Sequence, residues 1–290
     1  MNPAKIIYLV DDDEDDVMLM HTALKSSIHD IDIKVIKDGK ELMDSISSVH
    51  HNNPALILMD MNMPKINGLE ALTLLKSNEK TLHIPVIMTS TSSNPDHIKK
   101  AYALGLNAYM TKPVMMQDYT RLAQGLNFCF LNNYGSPDDS SVWQTFKGKS
   151  ILIVEDNADY WELMRLTLKR SLPEVKVTRL KDRKSTLDFM TDHWNTLKPA
   201  PELIIVDLYL PTRREGLNLL DSIRYFYIIH RLPPVPVLVL SFSKQREDVD
   251  AVYQHRANSY IVKSPELLAS YSYLRGLCNF WWDIIKLPKT

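Results

Sequence analysis

Hydrophobic residues in this chain gather in short unbroken runs, each closed by a polar residue. Ile6-Ile7-Tyr8-Leu9-Val10 ends in Asp11-Asp12, Leu56-Ile57-Leu58-Met59 ends in Asp60, Val86-Ile87-Met88-Thr89 ends in Ser90, and Ala108-Tyr109-Met110-Thr111 ends in Lys112. Runs without polar alternation suit strands buried on both faces, as in a parallel sheet. Amphipathic stretches of helical length lie between them, at Asp16–Lys25, Leu69–Ser77 and Ile98–Leu104. Alternating strand and helix predicts an α/β domain with a parallel sheet and right-handed crossovers.

The same pattern occurs twice. Ile151-Leu152-Ile153-Val154 ends in Glu155-Asp156, Leu203-Ile204-Ile205-Val206 in Asp207, Val237-Leu238-Val239-Leu240 in Ser241, and Ser259-Tyr260-Ile261-Val262 in Lys263. The closing residues Asp12, Asp60, Ser90 and Lys112 recur 144, 147, 151 and 151 positions later. Four blocks in one order, with drifts of a few residues, indicate a duplication with loop insertions. Second-copy helices are expected at Asp159–Arg170, Leu217–Tyr227 and Val249–His255, and a last one at Leu267–Ile285. The polar, turn-forming stretch from Asn132 to Ser141 marks the junction. It gives domains at 1–134 and 148–290 with a linker at 135–147, in which Val142–Phe146 is a short lead-in.

Length agrees, since 290 residues at roughly 100–200 per domain make two domains. A hydrophobic content of 45% and a charged content of 24% are ordinary for a globular protein. Cys129 and Cys278 form no CxxC pair and no metal-ligand spacing, and read as buried reduced thiols of a cytoplasmic protein. The first apolar run ends in acids, as a strand does and a signal peptide does not. No run approaches the ~18 apolar residues of a membrane span. Residues 1–134 carry 12 basic and 16 acidic side chains, and 150–290 carry 20 and 17. That asymmetry is too small to imply nucleic-acid binding. Arg213, Arg214, Arg224, Arg231, Arg246 and Arg256 come with no nucleic-acid-binding signature and read as solvated surface.

In an open parallel sheet, ligands bind outside the carboxyl ends of the strands. All the recurring polar residues fall there, so Asp11, Asp12, Asp60, Ser90 and Lys112 are expected to converge, as are Glu155, Asp156, Asp207, Ser241 and Lys263. Three clustered carboxylates repel one another and need a cation. Oxygen ligands without histidine or thiolate favour Mg2+, for which Mn2+ can substitute. A lysine and a hydroxyl beside them complete the parts for phosphoryl transfer to an aspartate.

With these residues in place, the chain resembles two tandem receiver domains of two-component response regulators, without an output domain. The resemblance implies flavodoxin-like folds, each a five-stranded parallel sheet of order 2-1-3-4-5 flanked by helices. It makes Asp60, in Met59-Asp60-Met61-Asn62-Met63-Pro64 with Gly68 after it, the phosphoacceptor. Asp12 becomes a direct Mg2+ ligand, Asp11 its partner through water, and the Asn62 backbone carbonyl a third ligand. Ser90 and Tyr109 take the switch positions, the tyrosine turning inward after phosphorylation, and Lys112 is the invariant lysine, followed by a cis bond to Pro113. In the second copy Asp207 is the acceptor, Glu155 and Asp156 are the acidic pair, and the Tyr209 carbonyl is the metal ligand. Ser241, Tyr260 and Lys263 fill the remaining positions. Implied partners are a histidine kinase or histidine phosphotransfer protein, a downstream protein target and a second copy in a homodimer.

The second copy departs from the pattern. The loop Pro211–Gly216 has one residue more than Pro64–Gly68, Lys263 precedes Ser264 where a trans bond is expected, and Phe242 follows the switch serine where the family has a small residue. Tyr209 adds bulk at the rim. An alternative follows: a phosphorylated first domain and a degenerate second domain that serves as a docking module. A Mg2+-dependent hydrolase would place a second aspartate two residues after the nucleophile. Asn62 and Tyr209 stand there, so no external substrate is expected.

Overall fold

The structure is a computed structural model, and it describes residues 4–48, 53–131, 145–194, 196–263 and 271–288. The chain divides into two compact units, Met1–Gly135 with Trp282–Lys289, and Ser136–Trp281. The expected linker falls largely on 132–144, and the Lys263–Ser264 bond on 264, outside the described residues.

The first unit runs β1 (Lys5–Val10), α1 (Glu14–Ser27), β2 (Ile31–Ile36), α2 (Gly39–Ser48), β3 (Leu56–Asp60), α3 (Gly68–Ser77), β4 (Val86–Ser90), α4 (Pro95–Ala103), β5 (Ala108–Thr111) and α5 (Met116–Leu126), closed by a π-helical turn at Asn127–Leu131. Its sheet is parallel, in the order β2-β1-β3-β4-β5. The apolar runs behave as their pattern requires, with β3 and β4 buried at every residue. Register then does the positioning: Val10 pairs with Met59, Asp60 with Thr89 and Ser90 with Thr111, so the polar residues that end each run gather at one edge. At the outer edge, Ile285 makes an antiparallel bridge with Met110, and the Lys286 N–H donates to the Tyr109 carbonyl at 2.7 Å.

The second unit repeats the plan with β6 (Ser150–Val154), α6 (Ala158–Ser171), β7 (Lys176–Leu180), α7 (Arg183–His193), β8 (Leu203–Asp207), α8 (Arg213–Ile229), β9 (Val237–Ser241), α9 (Arg246–Gln254), β10 (Ser259–Val262) and α10 (Tyr271–Asn279). The order is β7-β6-β8-β9-β10, again parallel. Both sheets therefore carry the flavodoxin-like arrangement that the resemblance implied. The first four residues of the expected last helix, 267–270, lie outside the described residues, and α10 passes into a π-helical turn at Phe280–Ile284. Trp281 is fully buried and Trp282 half-buried. Both cysteines are buried and reduced. Among the described residues no helix is long and apolar enough to cross a membrane.

Helices begin earlier than their amphipathic stretches because polar residues cap them. Asp13 accepts from the Asp15 and Asp16 N–H groups at the start of α1, and Asn157 from the Tyr160 N–H at the start of α6. Asn67 and Glu70 form a reciprocal capping box on α3. The acidic run after β1 thus serves both the pocket and the helix start.

Glycine closes the loop behind each acceptor strand. A Cβ on Gly68 would lie 2.6 Å from the Asp60 carbonyl oxygen, and one on Gly216 would lie 1.9 Å from the Leu208 carbonyl oxygen. Both obstacles are backbone and cannot turn away. Gly216→Ala is expected to destabilise the second unit by about 3 kcal/mol. Thermal unfolding followed by tryptophan fluorescence checks this, because four of the five tryptophans, Trp143, Trp161, Trp194 and Trp281, fall in the second unit. An unchanged transition would contradict the close approach.

Candidate functional site: two acidic pockets

In the first unit, carboxylate oxygens of Asp11, Asp12 and Asp60 all lie within 4.8 Å of one another. Asp11 and Asp60 are buried and Asp12 is exposed. The Lys112 ammonium lies 2.8 Å from Asp11, 2.8 Å from Asp60 and 2.7 Å from Asp16. The other Asp60 oxygen accepts the Asn62 N–H at 2.5 Å, so both oxygens are held. Burial pushes the Asp11 carboxyl up from its ordinary value, against the pull of Lys112. Burial also opposes the charge of Lys112, but hydrogen bonds to Asp11, Asp16 and Asp60 outweigh it and raise the ammonium above its usual range. A cavity of about 300 Å³ opens beside Asp11 and Asp12, walled by Val17, Met18 and Val35.

The second pocket repeats this geometry. Oxygens of Glu155, Asp156 and Asp207 lie within 4.8 Å of one another. Lys263 is buried, 2.7 Å from Glu155 and 2.6 Å from Asp207. Asp207 accepts the Tyr209 N–H at 3.2 Å. Burial raises the Glu155 carboxyl, and Lys263 pulls it back down. The switch positions match as well. Ser90 and Ser241 are fully buried and accept the N–H groups of Ser92 at 3.1 Å and Ser243 at 3.2 Å.

Tyr109 and Tyr260 are fully buried, their hydroxyls donating to the Ser92 and Ser243 carbonyls at 2.8 Å. Hydrogen bonds to the β4–α4 and β9–α9 loops hold them inward. The expected cis bond between Lys112 and Pro113 is not formed, cis bonds occurring instead at Lys198–Pro199 and Leu210–Pro211. The Lys112 N–H bonds the Ser90 carbonyl at 2.8 Å, which continues the strand ladder while the long side chain reaches the acids.

Several residues at the site went unnoticed in the sequence. Asp16 binds Lys112 and, at 3.3 Å, the Tyr119 hydroxyl. Its signal was there: it belongs to the same acidic run as Asp11 and Asp12 and lies in the first turn of α1. Tyr160 holds the matching place in the second unit, with Lys263 3.9 Å from its ring centroid. Phe242, which the sequence marks only as bulk after the switch serine, packs edge-on to Tyr160 at 5.4 Å and lies 5.1 Å from Lys263, while remaining 66% exposed. Arg179 donates to the carbonyls of Glu155, Asp156 and Asn157 at 3.1 to 3.4 Å. Buried Asp248 accepts from the Tyr209 hydroxyl at 3.0 Å and from Arg213 at 2.5 Å, which ties the loop after Asp207 to α9.

The profile of the response regulator receiver domain matches residues 7–124 and 151–270. The chain belongs to the response regulator receiver family. Its receiver domains are similar to the response regulator Rcp1 of Synechocystis, 34% identical over 140 residues, or 47% of this chain and 95% of that one. The probable methanogenesis regulatory protein FilR2 of Methanothrix harundinacea is 30% identical over 136 residues, covering 46% and 87%. Among solved structures, the phosphorylated cyanobacterial phytochrome response regulator RcpA is 32% identical with a TM-score of 0.43, covering 47% of this chain and 99% of that one.

The Asp248 link yields a test within the second receiver. Burial raises this carboxyl, but hydrogen bonds from Ser243, Arg213 and Tyr209 prevail and hold it below its ordinary 3.8. A depressed carboxylate contributes stability above its unfolded pKa and loses it as pH falls through the folded one. Asp248→Asn is expected to cost about 1–2 kcal/mol near pH 7, the difference shrinking as pH drops below about 4. Urea unfolding at the two pH values measures it, and equal losses at both would count against the ion pair.

Proposed function

We propose that this response regulator accepts phosphoryl groups on Asp60 and Asp207 from a phosphohistidine of a histidine kinase or histidine phosphotransfer protein, and signals through changed protein contacts. The carrying observation is that each acceptor carboxylate meets one lysine, at 2.8 Å in the first receiver and 2.6 Å in the second, beside an acidic pair. An Asp60 oxygen bonds to phosphorus as the donor's P–N bond breaks, and the leaving imidazole takes a proton from solvent. Lys112 balances charge on the transferring oxygens, and the Asn62 N–H orients the acceptor.

The donor set fits Mg2+ or Mn2+: hard carboxylate oxygens from Asp11, Asp12 and Asp60, or from Glu155, Asp156 and Asp207, with Asn62 or Tyr209 adding a backbone carbonyl. When bound, the ion supplies further charge neutralisation and alignment of the phosphoryl group. Ser90 and Ser241, each one strand from the acceptor, serve as hydroxyl ligands of the phosphoryl oxygens. Tyr109 and Tyr260 lie behind them. Acceptance and later hydrolysis of the acyl phosphate are the only chemistry proposed.

A second reading is favoured by the Tyr160 and Phe242 rings over Lys263: the first receiver takes phosphate and the second serves as a docking module. Incubating the full chain with phosphoramidate and Mg2+, followed by intact mass and peptide mapping, separates the two. Two phosphoryl increments, on Asp60 and Asp207, support the first reading. One increment on Asp60 supports the second, and no label on Asp60 overturns both.

A further inference from the structure

The two acidic pockets are alike in plan and unlike in charge. Around the first stand four carboxylates, Asp11, Asp12, Asp16 and Asp60, against the one ammonium of Lys112. Around the second stand three, Glu155, Asp156 and Asp207, against two cations, Lys263 and Arg179. Strand register identifies the changes. Val35 on β2 pairs with Leu9, and Arg179 on β7 pairs with Ile153, so the arginine occupies the place of the valine. Asp16 and Tyr160 both follow the exposed acid of the pair by four residues.

Arg179 is anchored where it stands. Its guanidinium donates to three successive carbonyls of the loop that carries Glu155 and Asp156, and its centre lies 5.1 Å from the Trp161 ring. In the first receiver the matching positions, Val17 and Val35, are uncharged and border the open cavity beside Asp11 and Asp12, where Lys37 also lies but is paired with Glu14 at 3.6 Å.

Resting on the reading of these pockets as metal sites, we propose that the two receivers differ in affinity for a divalent cation, the first binding tightly and the second weakly, with Arg179 and the Asp16-to-Tyr160 exchange as the cause. One unit charge about 6 Å from a divalent ion changes its binding about tenfold even with the screening of bulk water. The two exchanges act in the same direction, and salt reduces both. At divalent concentrations between the two affinities, only Asp60 is equipped to accept phosphate, so cation supply selects which receiver responds.

The test is calorimetric titration of the full chain with Mn2+ at low ionic strength, with Asp12→Asn and Asp156→Asn used to assign each binding event. The expected result is two sites differing at least about tenfold, the first receiver the tighter. Arg179→Val should strengthen the second site several-fold, and Val35→Arg, at an exposed strand position, should weaken the first by a similar factor. Tyr160→Asp gives a second route to the same gain if Arg179→Val does not fold. Equal affinities, or a gap unmoved by these exchanges, overturn the charge argument while leaving the metal sites standing. No Mn2+ binding at either pocket overturns the metal reading together with this one.

Discussion

Replacing Asp60 by Asn in the full chain is expected to remove phosphoryl label from the first receiver, lowering its rate of labelling by at least about a hundredfold. The amide keeps the size of the side chain and one oxygen, and it loses the anionic nucleophile. The neighbours show why no other acid takes over. Asp11 is tied to Lys112 and to the Asp13 N–H, and Asp16 to Lys112 and Tyr119. Asp60 ends β3 in the middle of the sheet, with its carboxylate fixed between the Lys112 ammonium and the Asn62 N–H. Intact mass after treatment with phosphoramidate and Mg2+ reads the result, in a chain also carrying Asp207→Asn so that only the first receiver can respond. Label that persists in peptides from residues 7–124 would sink the assignment of Asp60.

Most of this architecture was legible in the sequence because a parallel sheet leaves strong marks. Strands such as Leu56–Asp60 and Leu203–Asp207 are buried at every residue, so they show as unbroken apolar runs. The polar residue that closes each run must then sit at the site edge. Duplication doubled the signal and exposed the site positions by their spacing. What escaped notice depends on side-chain reach between elements. Arg179 comes from β7, whose pattern is only half-buried and gives no hint that the guanidinium turns onto the neighbouring loop. Asp248 is an ordinary helix residue until Arg213 and Tyr209 meet it from another segment. The tyrosines at positions 109 and 260 were placed by sequence, but their inward orientation depends on carbonyls of the loops beside them. The bulk of Phe242 after the switch serine is plain in the sequence, but its edge-on pairing with Tyr160 beside the lysine depends on contacts between separate elements.

That enclosed lysine leads to the largest stability effect expected in the second receiver. Lys263→Met should cost about 3–5 kcal/mol near pH 8 in the absence of divalent cations. The ammonium is the group that reconciles Glu155 and Asp207, at 2.7 and 2.6 Å, with side chains only 2% and 11% exposed. Methionine fills much of the space against Tyr160 and Phe242 but leaves two facing carboxylates unpaired. The sign of the pH dependence follows from Glu155. Burial already raises its carboxyl above the ordinary 4.5, and Lys263 is the main opposing influence. Without the lysine the folded-state pKa rises further, so the folded form binds its proton more tightly than the unfolded chain does. Relative stability is then greatest at low pH and is lost as pH rises through the raised folded value. Urea unfolding monitored by tryptophan fluorescence should show the deficit of the variant shrinking between pH 8 and pH 5. Added Mn2+ should recover part of it by binding the folded pocket alone. A variant as stable as the parent, or a deficit indifferent to pH and to Mn2+, would mean that the lysine does not hold the two acids together.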